Sequence, residues 1–142
     1  MRFNKVLLVN PKTAADWVGL RPPAGLGYIA QALQENDIEY DILDMQLGYS
    51  QKKLFQKIAI FKPDLIGFSL VSLGYKHSYD LIDNVKTNFP DKKIIVGGPH
   101  VTILKKEVLQ NCKAIDFAVI YEGERPLVEL CKSNQREKFL VV

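Results

Sequence analysis

The stretch Ile94-Ile95-Val96-Gly97-Gly98-Pro99-His100 has the strongest local signature in the chain. Its three branched apolar residues predict a short strand that is buried on both faces. Two glycines follow, and because they lack a Cβ, a large group can come close to their backbone. Pro99 and His100 are then expected to end the strand in a shaped loop. Open α/β sheets bind ligands at the carboxyl ends of their strands, so this stretch predicts a binding edge.

Four further apolar segments predict strands, at residues 5–9, 40–43, 65–68 and 116–120. Between the strands, apolar residues recur at helical spacing, and Pro63 and Pro90 end two of the expected helices. Strands and helices alternate five times, which is typical of parallel sheets with right-handed connections. The chain is therefore predicted to be a flavodoxin-like or Rossmann-like α/β protein. We expect a doubly wound five-stranded parallel sheet in the order 2-1-3-4-5 with helices on both faces.

This strand order brings four unusual segments to one edge of the sheet. They are the loops that follow Asn10, Ser69, Gly97 and Tyr121. The first of these loops continues to about Gly25, which is longer than the roughly two to six residues of most strand-to-helix connections. Long loops in compact domains are often functional, so this edge is the candidate site.

Length and composition favour one globular domain. The chain has 142 residues, of which 47% are hydrophobic and 25% charged, and its net charge is only +3. Such a small charge gives no support to nucleic-acid binding. The apolar runs are far shorter than the roughly 20 residues that cross a bilayer, and residues 1–5 show no signal-peptide pattern, so we expect a cytoplasmic protein. Residues 1–132 form the predicted domain, and residues 133–142 are a tail that leads into a missing downstream domain or ends naturally.

Several common occupants of such an edge do not fit these residues. A phosphoacceptor receiver needs clustered carboxylates after the first and third strands, where this chain has Asn10 and Ser69. A flavin phosphate loop needs glycines after the first strand, and Gly25-Leu26-Gly27 comes too late for a dinucleotide fingerprint. No set of residues is placed for nucleophilic catalysis, and Cys112 and Cys131 lack metal-ligand spacing. The sequence therefore predicts no catalytic residues and no metal site of its own.

Five motifs in order resemble the cobalamin-binding domain, more narrowly the version that precedes the catalytic barrel of radical S-adenosylmethionine enzymes. The resemblance spans residues 3 to 132 and is carried by Val9-Asn10-Pro11, Gly25-Leu26-Gly27-Tyr28, the stretch from Lys62 to Ser69, Val96-Gly97-Gly98-Pro99-His100 and Glu122-Gly123-Glu124. It implies a corrin ring across the carboxyl edge and a nucleotide tail that descends between strands. The residues expected at the cofactor are Asn10, Pro11, Ser69, Leu70, Val71, Ser72, Gly97, Gly98, Pro99, His100, Glu122 and Gly123.

Several of these positions also have a structural explanation. Ser69 and Ser72 are suited either to polar atoms of the tail or to capping a strand end. The glycine pair makes room for the tail or forms a tight turn, and Glu122-Gly123-Glu124 borders the ring or caps the last helix through its dipole. Better-known cobalamin domains carry a DxHxxG motif whose histidine binds cobalt. Asp16-Trp17-Val18-Gly19 lacks that histidine. His100 is then a weak candidate cobalt ligand, and a hydrogen-bonded loop histidine is the alternative.

The resemblance implies a module that holds and orients cobalamin, without catalysis by this chain alone. A downstream radical S-adenosylmethionine domain in the same polypeptide would supply an iron–sulfur cluster and S-adenosylmethionine, for methyl transfer or tetrapyrrole ring formation. The CxxxCxxC run that such a cluster needs is absent from these 142 residues. The alternative is an interaction or sensory domain of the same fold that no longer binds a corrinoid.

Overall fold

A parallel sheet in the order β2-β1-β3-β4-β5-β6 forms the centre of the computed structural model. The structure describes residues 3–12, 24–120, 123–133 and 139–141. The strands are β1 (Lys5–Asn10), β2 (Glu39–Asp44), β3 (Leu65–Ser69), β4 (Lys93–Gly97), β5 (Phe117–Val119) and β6 (Phe139–Val141). Every neighbouring pair is parallel. The predicted α/β fold and the order 2-1-3-4-5 are confirmed, and β6 extends the sheet beside β5.

Helices connect the strands and cover both faces of the sheet. They are α1 (Ala24–Glu35), α2 (Gln51–Phe61), α3 (Tyr75–Asn88), α4 (Pro99–Leu104), α5 (Glu107–Asn111) and α6 (Glu124–Lys132). Local chemistry sets several of their ends. The Ser50 hydroxyl accepts a hydrogen bond from the Lys53 N–H at the start of α2, and Lys62 ends that helix in the left-handed conformation just before Pro63. Among the described residues, no helix is both long and apolar enough to span a membrane.

One local prediction is wrong at the end of β4. Pro99 and His100 do not form a loop, because α4 begins at Pro99 directly after Gly98. Proline suits the first position of a helix, where its fixed φ is helical and its missing N–H would have no partner. The helical region that follows β4 is divided into α4 and α5, because Lys105 adopts a positive φ of 55° between them.

The sheet separates two apolar cores. The first core lies on the α2–α5 face and includes Leu54 and Ile58 of α2 together with Ile82 and Val85 of α3. The second core lies on the α1–α6 face and includes Leu26 and Leu33 of α1 with Leu127 and Leu130 of α6. Side chains alternate along each strand, so consecutive residues of β3 and β4 enter different cores.

Two carboxylates stabilise the opposite edge of the sheet, where the strands begin. Asp116 is buried, and its Oδ2 accepts hydrogen bonds from the Ile94 N–H at 2.9 Å and from Lys86 Nζ at 2.8 Å. Asp64 accepts hydrogen bonds from the N–H groups of Asn4 and Lys5. These acids pair with groups of the protein itself, so the amino edge is structural and the carboxyl edge is left for function.

Candidate functional site

A cavity of about 260 Å³ opens at the carboxyl edge of the sheet. It lies between the α1–α6 face of β1, β3, β4 and β5 and the helices α1 and α6 that cover this face. Most of its wall is apolar and is formed by Leu8, Leu26, Ile29, Ile95 and Leu127. Near the edge it is bordered by Gly25, Ser69, Gly97, Gly98, Val119, Gly123 and Glu124. The predicted binding edge therefore coincides with a real opening in the core.

The floor of this cavity is made by two rows of residues across the sheet. The deeper row is Leu8, Gly67 and Ile95, which are register partners on β1, β3 and β4. Two residues further along each strand, Ser69 pairs with Gly97 at the rim. Each row thus has a glycine on the face that α1 and α6 cover. The cavity exists because two side chains are missing from adjacent strands.

The two glycines of the floor have different surroundings. A Cβ at Gly97 would meet only the Val119 carbonyl oxygen, at 3.8 Å, and would otherwise extend into the cavity. A Cβ at Gly67 would lie 3.3 Å from Leu8 Cδ2 and 3.5 Å from Ile95 Cγ2. Gly67 is therefore closely flanked by its neighbours, whereas the space above Gly97 is open to a ligand.

Gly98 has a structural role that is distinct from that of Gly97. Its φ is +101°, and a Cβ there would lie 2.6 Å from the Leu70 carbonyl oxygen. The backbone of Leu70 pairs with this turn, since its N–H donates to the Gly97 carbonyl and its own carbonyl accepts from the His100 N–H. Glycine at position 98 is required by the close approach of the protein's own backbone.

Two polar side chains line the cavity in the part of the chain that the structure describes, and both lie at its rim. Ser69 ends β3, and its hydroxyl makes no hydrogen bond to any described residue. Glu124 is the first residue of α6, half-buried, and its carboxylate has no ion-pair partner among the described residues. A hydroxyl and a carboxylate at the entrance can bind polar groups of a ligand whose apolar part lies deeper.

The segment between β3 and α3 presents apolar side chains to solvent beside this entrance. Val71 is 37% exposed and Leu73 is 50% exposed, whereas Leu70 between them and the strand is fully buried. Leu70 fixes the segment through its two backbone hydrogen bonds to the β4–α4 turn. Exposed apolar residues on a fixed backbone offer a surface for a large flat ligand.

His100 lies in the α2–α5 core and is only 3% exposed. Its Nε2 lies 2.8 Å from the Tyr79 hydroxyl, its Nδ1 lies 3.2 Å from the Ser72 hydroxyl, and Tyr75 stacks on the ring at 4.9 Å. Burial lowers the pKa of His100, so the ring is neutral and donates one of these hydrogen bonds while accepting the other. Both nitrogens are occupied by the protein, and His100 is absent from the cavity wall.

The residues after β1 also have partners within the protein. Asn10 Nδ2 donates to Asp44 Oδ1 at 3.0 Å, and that oxygen also accepts from the Gln46 N–H. Pro11 is buried. These contacts hold the ends of β1 and β2 together. Residues 13–23, which include Trp17 and the place of the absent histidine motif, lie outside the described residues.

The structure brings four of the twelve expected residues to the cavity, namely Ser69, Gly97, Gly98 and Gly123. Seven lie near the same edge without lining it: Asn10, Pro11, Leu70, Val71, Ser72, Pro99 and His100. Glu122 lies outside the described residues. Sequence patterns did not indicate the helical walls or the deep row, although period-two alternation places Leu8, Gly67 and Ile95 on one face once the register is known.

This arrangement is suited to binding, and its described residues offer little for catalysis. No group of three or more His, Cys, Asp or Glu side chains within the described ranges could hold a metal ion. Both cysteines are buried, and burial raises the pKa of Cys112 to about 12, which keeps its thiol protonated and unreactive. The chemistry available at the site is recognition by shape, apolar contact and a few polar groups at the rim.

Comparison with known proteins gives one family and a consistent set of relatives. The family model described as "B12 binding domain" matches residues 13–131. An uncharacterized methyltransferase of Pyrococcus horikoshii is 31% identical over 138 residues, which are 92% of this chain and 29% of that protein. An anaerobic magnesium-protoporphyrin IX monomethyl ester cyclase of Cereibacter sphaeroides is 26% identical over 140 residues, which are 95% of this chain and 23% of the cyclase.

A solved structure shares the fold. The cobalamin-dependent S-adenosylmethionine radical enzyme OxsB, with aqua-cobalamin and S-adenosylmethionine bound, superimposes with a TM-score of 0.81 at 20% identity. The match covers 92% of this chain and 18% of OxsB. This chain therefore spans well under a third of the length of each of these three relatives.

Proposed function

The chain belongs to the B12 binding domain family, and on that premise we propose that it binds cobalamin at the carboxyl edge of its sheet and orients it for a radical S-adenosylmethionine domain. The observation that carries this proposal is the cavity above Gly67 and Gly97, which opens beside the exposed apolar residues Val71 and Leu73. A cleft next to an apolar platform suits a ligand with a broad flat ring and a narrower tail.

The residues of the cavity fit the two parts of the cofactor. The apolar depth of the cavity suits the aromatic base of the nucleotide tail, because a flat ring gains from contact with Leu8, Ile95 and Leu127. The Ser69 hydroxyl at the rim suits the polar sugar and phosphate of that tail. Val71 and Leu73 would contact the corrin ring and exclude water from beneath it.

His100 is not expected to bind the cobalt. Its two nitrogens already face the hydroxyls of Ser72 and Tyr79, and it is buried in the α2–α5 core. Its role in the proposal is to hold Ser72, and with it the segment that carries Val71 and Leu73, against α3 and α4. Bound cobalamin supplies cobalt-centred methyl-transfer chemistry, and the described residues of this chain orient the cofactor and exclude water from it.

The rest of the proposed function concerns a longer protein. The relatives are named as a cyclase and as methyltransferases, and their chains extend far beyond the matched segment. We infer a downstream radical S-adenosylmethionine domain in the same polypeptide, with its own iron–sulfur cluster, which performs methyl transfer or tetrapyrrole ring formation. A cytoplasmic setting suits this proposal, since Cys112 and Cys131 are both buried thiols, as is usual where thiols stay reduced.

The direct test is retention of the cofactor. The purified chain is mixed with hydroxocobalamin and desalted, and the visible absorption spectrum of the protein fraction is recorded. We expect about one corrinoid per chain to remain with the protein, because the cavity and platform are preformed. Colourless protein that retains its native circular dichroism spectrum would contradict the proposal and favour an interaction or sensory domain of the same fold.

A further inference from the structure

The interior of the cavity differs in polarity from its entrance. The deep row of the floor offers only Leu8 and Ile95 beside Gly67, and the helices add Leu26, Ile29 and Leu127. In the part of the chain that the structure describes, Ser69 and Glu124 are the polar side chains on the wall, and each belongs to the rim. Ser69 ends β3, and Glu124 begins α6.

Within the described ranges, the backbone adds no hydrogen-bonding partner in the depth of the cavity. The residues of the floor belong to β1, β3 and β4, which are central strands with a parallel neighbour on each side. Their N–H and C=O groups are engaged in the ladders between strands. A ligand group that reaches the level of Gly67 therefore meets hydrocarbon on the floor and on the helical walls.

Such an environment discriminates between aromatic bases of similar size. A benzimidazole with two methyl groups presents mainly apolar surface, which gains free energy on leaving water. Adenine presents an exocyclic amino group and additional ring nitrogens, and each would lose its hydrogen bonds to water without replacement. A site that provides no partner for a buried polar group disfavours the ligand that carries it.

We propose that this cavity selects among corrinoids by the polarity of their lower nucleotide base, and that it favours a benzimidazole base over a purine base. This inference rests on the proposed function, because it requires the tail of the cofactor to enter the cavity. It adds a specificity that follows from the placement of Ser69 and Glu124 at the rim and of apolar side chains alone at the depth of Gly67.

The test compares the affinities of three corrinoids for the purified chain by ultrafiltration and visible absorbance. They are hydroxocobalamin, the analogue with adenine in place of dimethylbenzimidazole, and cobinamide, which lacks the nucleotide. We expect the adenine analogue to bind about tenfold more weakly than hydroxocobalamin or worse, because its unpaired polar groups are buried. Cobinamide should also bind more weakly, because it leaves the cavity unfilled.

The possible outcomes separate this inference from the function on which it rests. Equal affinities for hydroxocobalamin and its adenine analogue would overturn the base selectivity while leaving cobalamin binding intact. Equal affinities for hydroxocobalamin and cobinamide would show that the base does not use the cavity, and would also overturn it. Failure of all three to bind would overturn the proposed function itself.

A substitution in the wall sharpens the test. Ile29 is half-buried on α1 and lines the cavity, with its Cδ1 close to Gly123. Ile29→Gln introduces an amide, which is the side-chain group that pairs with the edge of adenine. We expect this variant to reduce the preference for hydroxocobalamin over the adenine analogue by several-fold. The matched control is Ile60→Gln, at a residue of α2 that is 81% exposed, and it should leave the preference unchanged. An unchanged preference in folded Ile29→Gln protein would count against the inference.

Discussion

The two faces of the sheet are built from the same strands and are packed differently. On the α2–α5 face, β3 contributes Ile66 and Phe68, and β4 contributes Ile94 and Val96, all of which are buried in that core. On the α1–α6 face, the residues that alternate with them include a glycine on each strand, Gly67 on β3 and Gly97 on β4. One face is filled to its carboxyl edge, and the other is hollow there.

This difference shows that the cavity does not result from loose packing of the whole domain. The strands that border the opening carry large side chains on their other face, and Leu8 and Ile95 fill the α1–α6 face on either side of Gly67. The hollow is confined to the places where a Cβ is absent. Folding stability therefore comes mainly from the filled face and the deeper rows, which leaves the rim available for a ligand.

The largest effect on stability is expected at Gly98, where glycine is required by the fold and not by the ligand. Gly98→Ala should lower the free energy of unfolding by about 3 kcal/mol, because its φ is +101° and the new Cβ would collide with the Leu70 backbone. Urea unfolding followed by circular dichroism measures this. Gly97→Ala is the matched control, and its change should stay within about 1 kcal/mol. Similar losses in the two variants would remove the distinction between these glycines.

At Gly97 we expect a smaller effect on the free energy of unfolding and a direct effect on the affinity for hydroxocobalamin. Gly97→Val should weaken hydroxocobalamin binding roughly 100-fold, because the side chain would occupy the cavity while the protein stays folded. The affinity is measured by absorbance titration. Ile94→Ala, which alters the filled face, should reduce stability and leave the affinity close to that of the original chain. Retained affinity in Gly97→Val would mean that the tail does not enter above Gly97.

The smallest effect is the pH dependence of the free energy of unfolding that arises from His100 in the filled face. Burial lowers its pKa in the folded state below the roughly 6.5 of an unfolded chain, so the unfolded state takes up protons first as the pH falls. The stabilisation by neutral His100 is complete above about pH 6.5 and is lost as the pH decreases through the folded pKa. Urea unfolding between pH 7.5 and 5 should show this decrease.

The same experiment has a matched control, because the chain has two histidines. His100→Gln should flatten the pH dependence, whereas His77→Gln, at an exposed residue of α3, should not. If His100 does not bind cobalt, the visible spectrum of bound hydroxocobalamin should be the same in His100→Gln protein. A shifted spectrum would contradict the placement of both nitrogens within the protein.

Much of the architecture could be predicted from local patterns. The apolar runs at β1, β3 and β4 are nearly continuous, which is the pattern of strands buried on both faces, and their alternation with helices predicts the sheet order. The prediction of a loop at Pro99 and His100 was wrong, because the same residues are compatible with the end of a strand and with the start of a helix. Pro99 ends a strand and equally begins a helix, and the choice depends on the Leu70 backbone that accepts the following N–H.

The site was predicted less completely than the fold. The edge, the glycine pair and Ser69 could be predicted because glycines and loops after buried strands are visible in the sequence. The helical walls could not be predicted, because Leu26, Ile29 and Leu127 have the same spacing as any core-facing helix residue. His100 was expected at the binding edge, yet its ring lies in the opposite core.

The sequence by itself determined that this chain forms a wound parallel sheet with small residues at one edge, because those features depend on residue type and spacing along a single strand or helix. Only the tertiary structure decided that Gly97 opens a cavity, that Gly98 accommodates a backbone, and that His100 is buried between Ser72 and Tyr79. These facts depend on which atoms lie opposite each residue. They are set by the register of neighbouring strands and the packing of distant helices, which no local pattern contains.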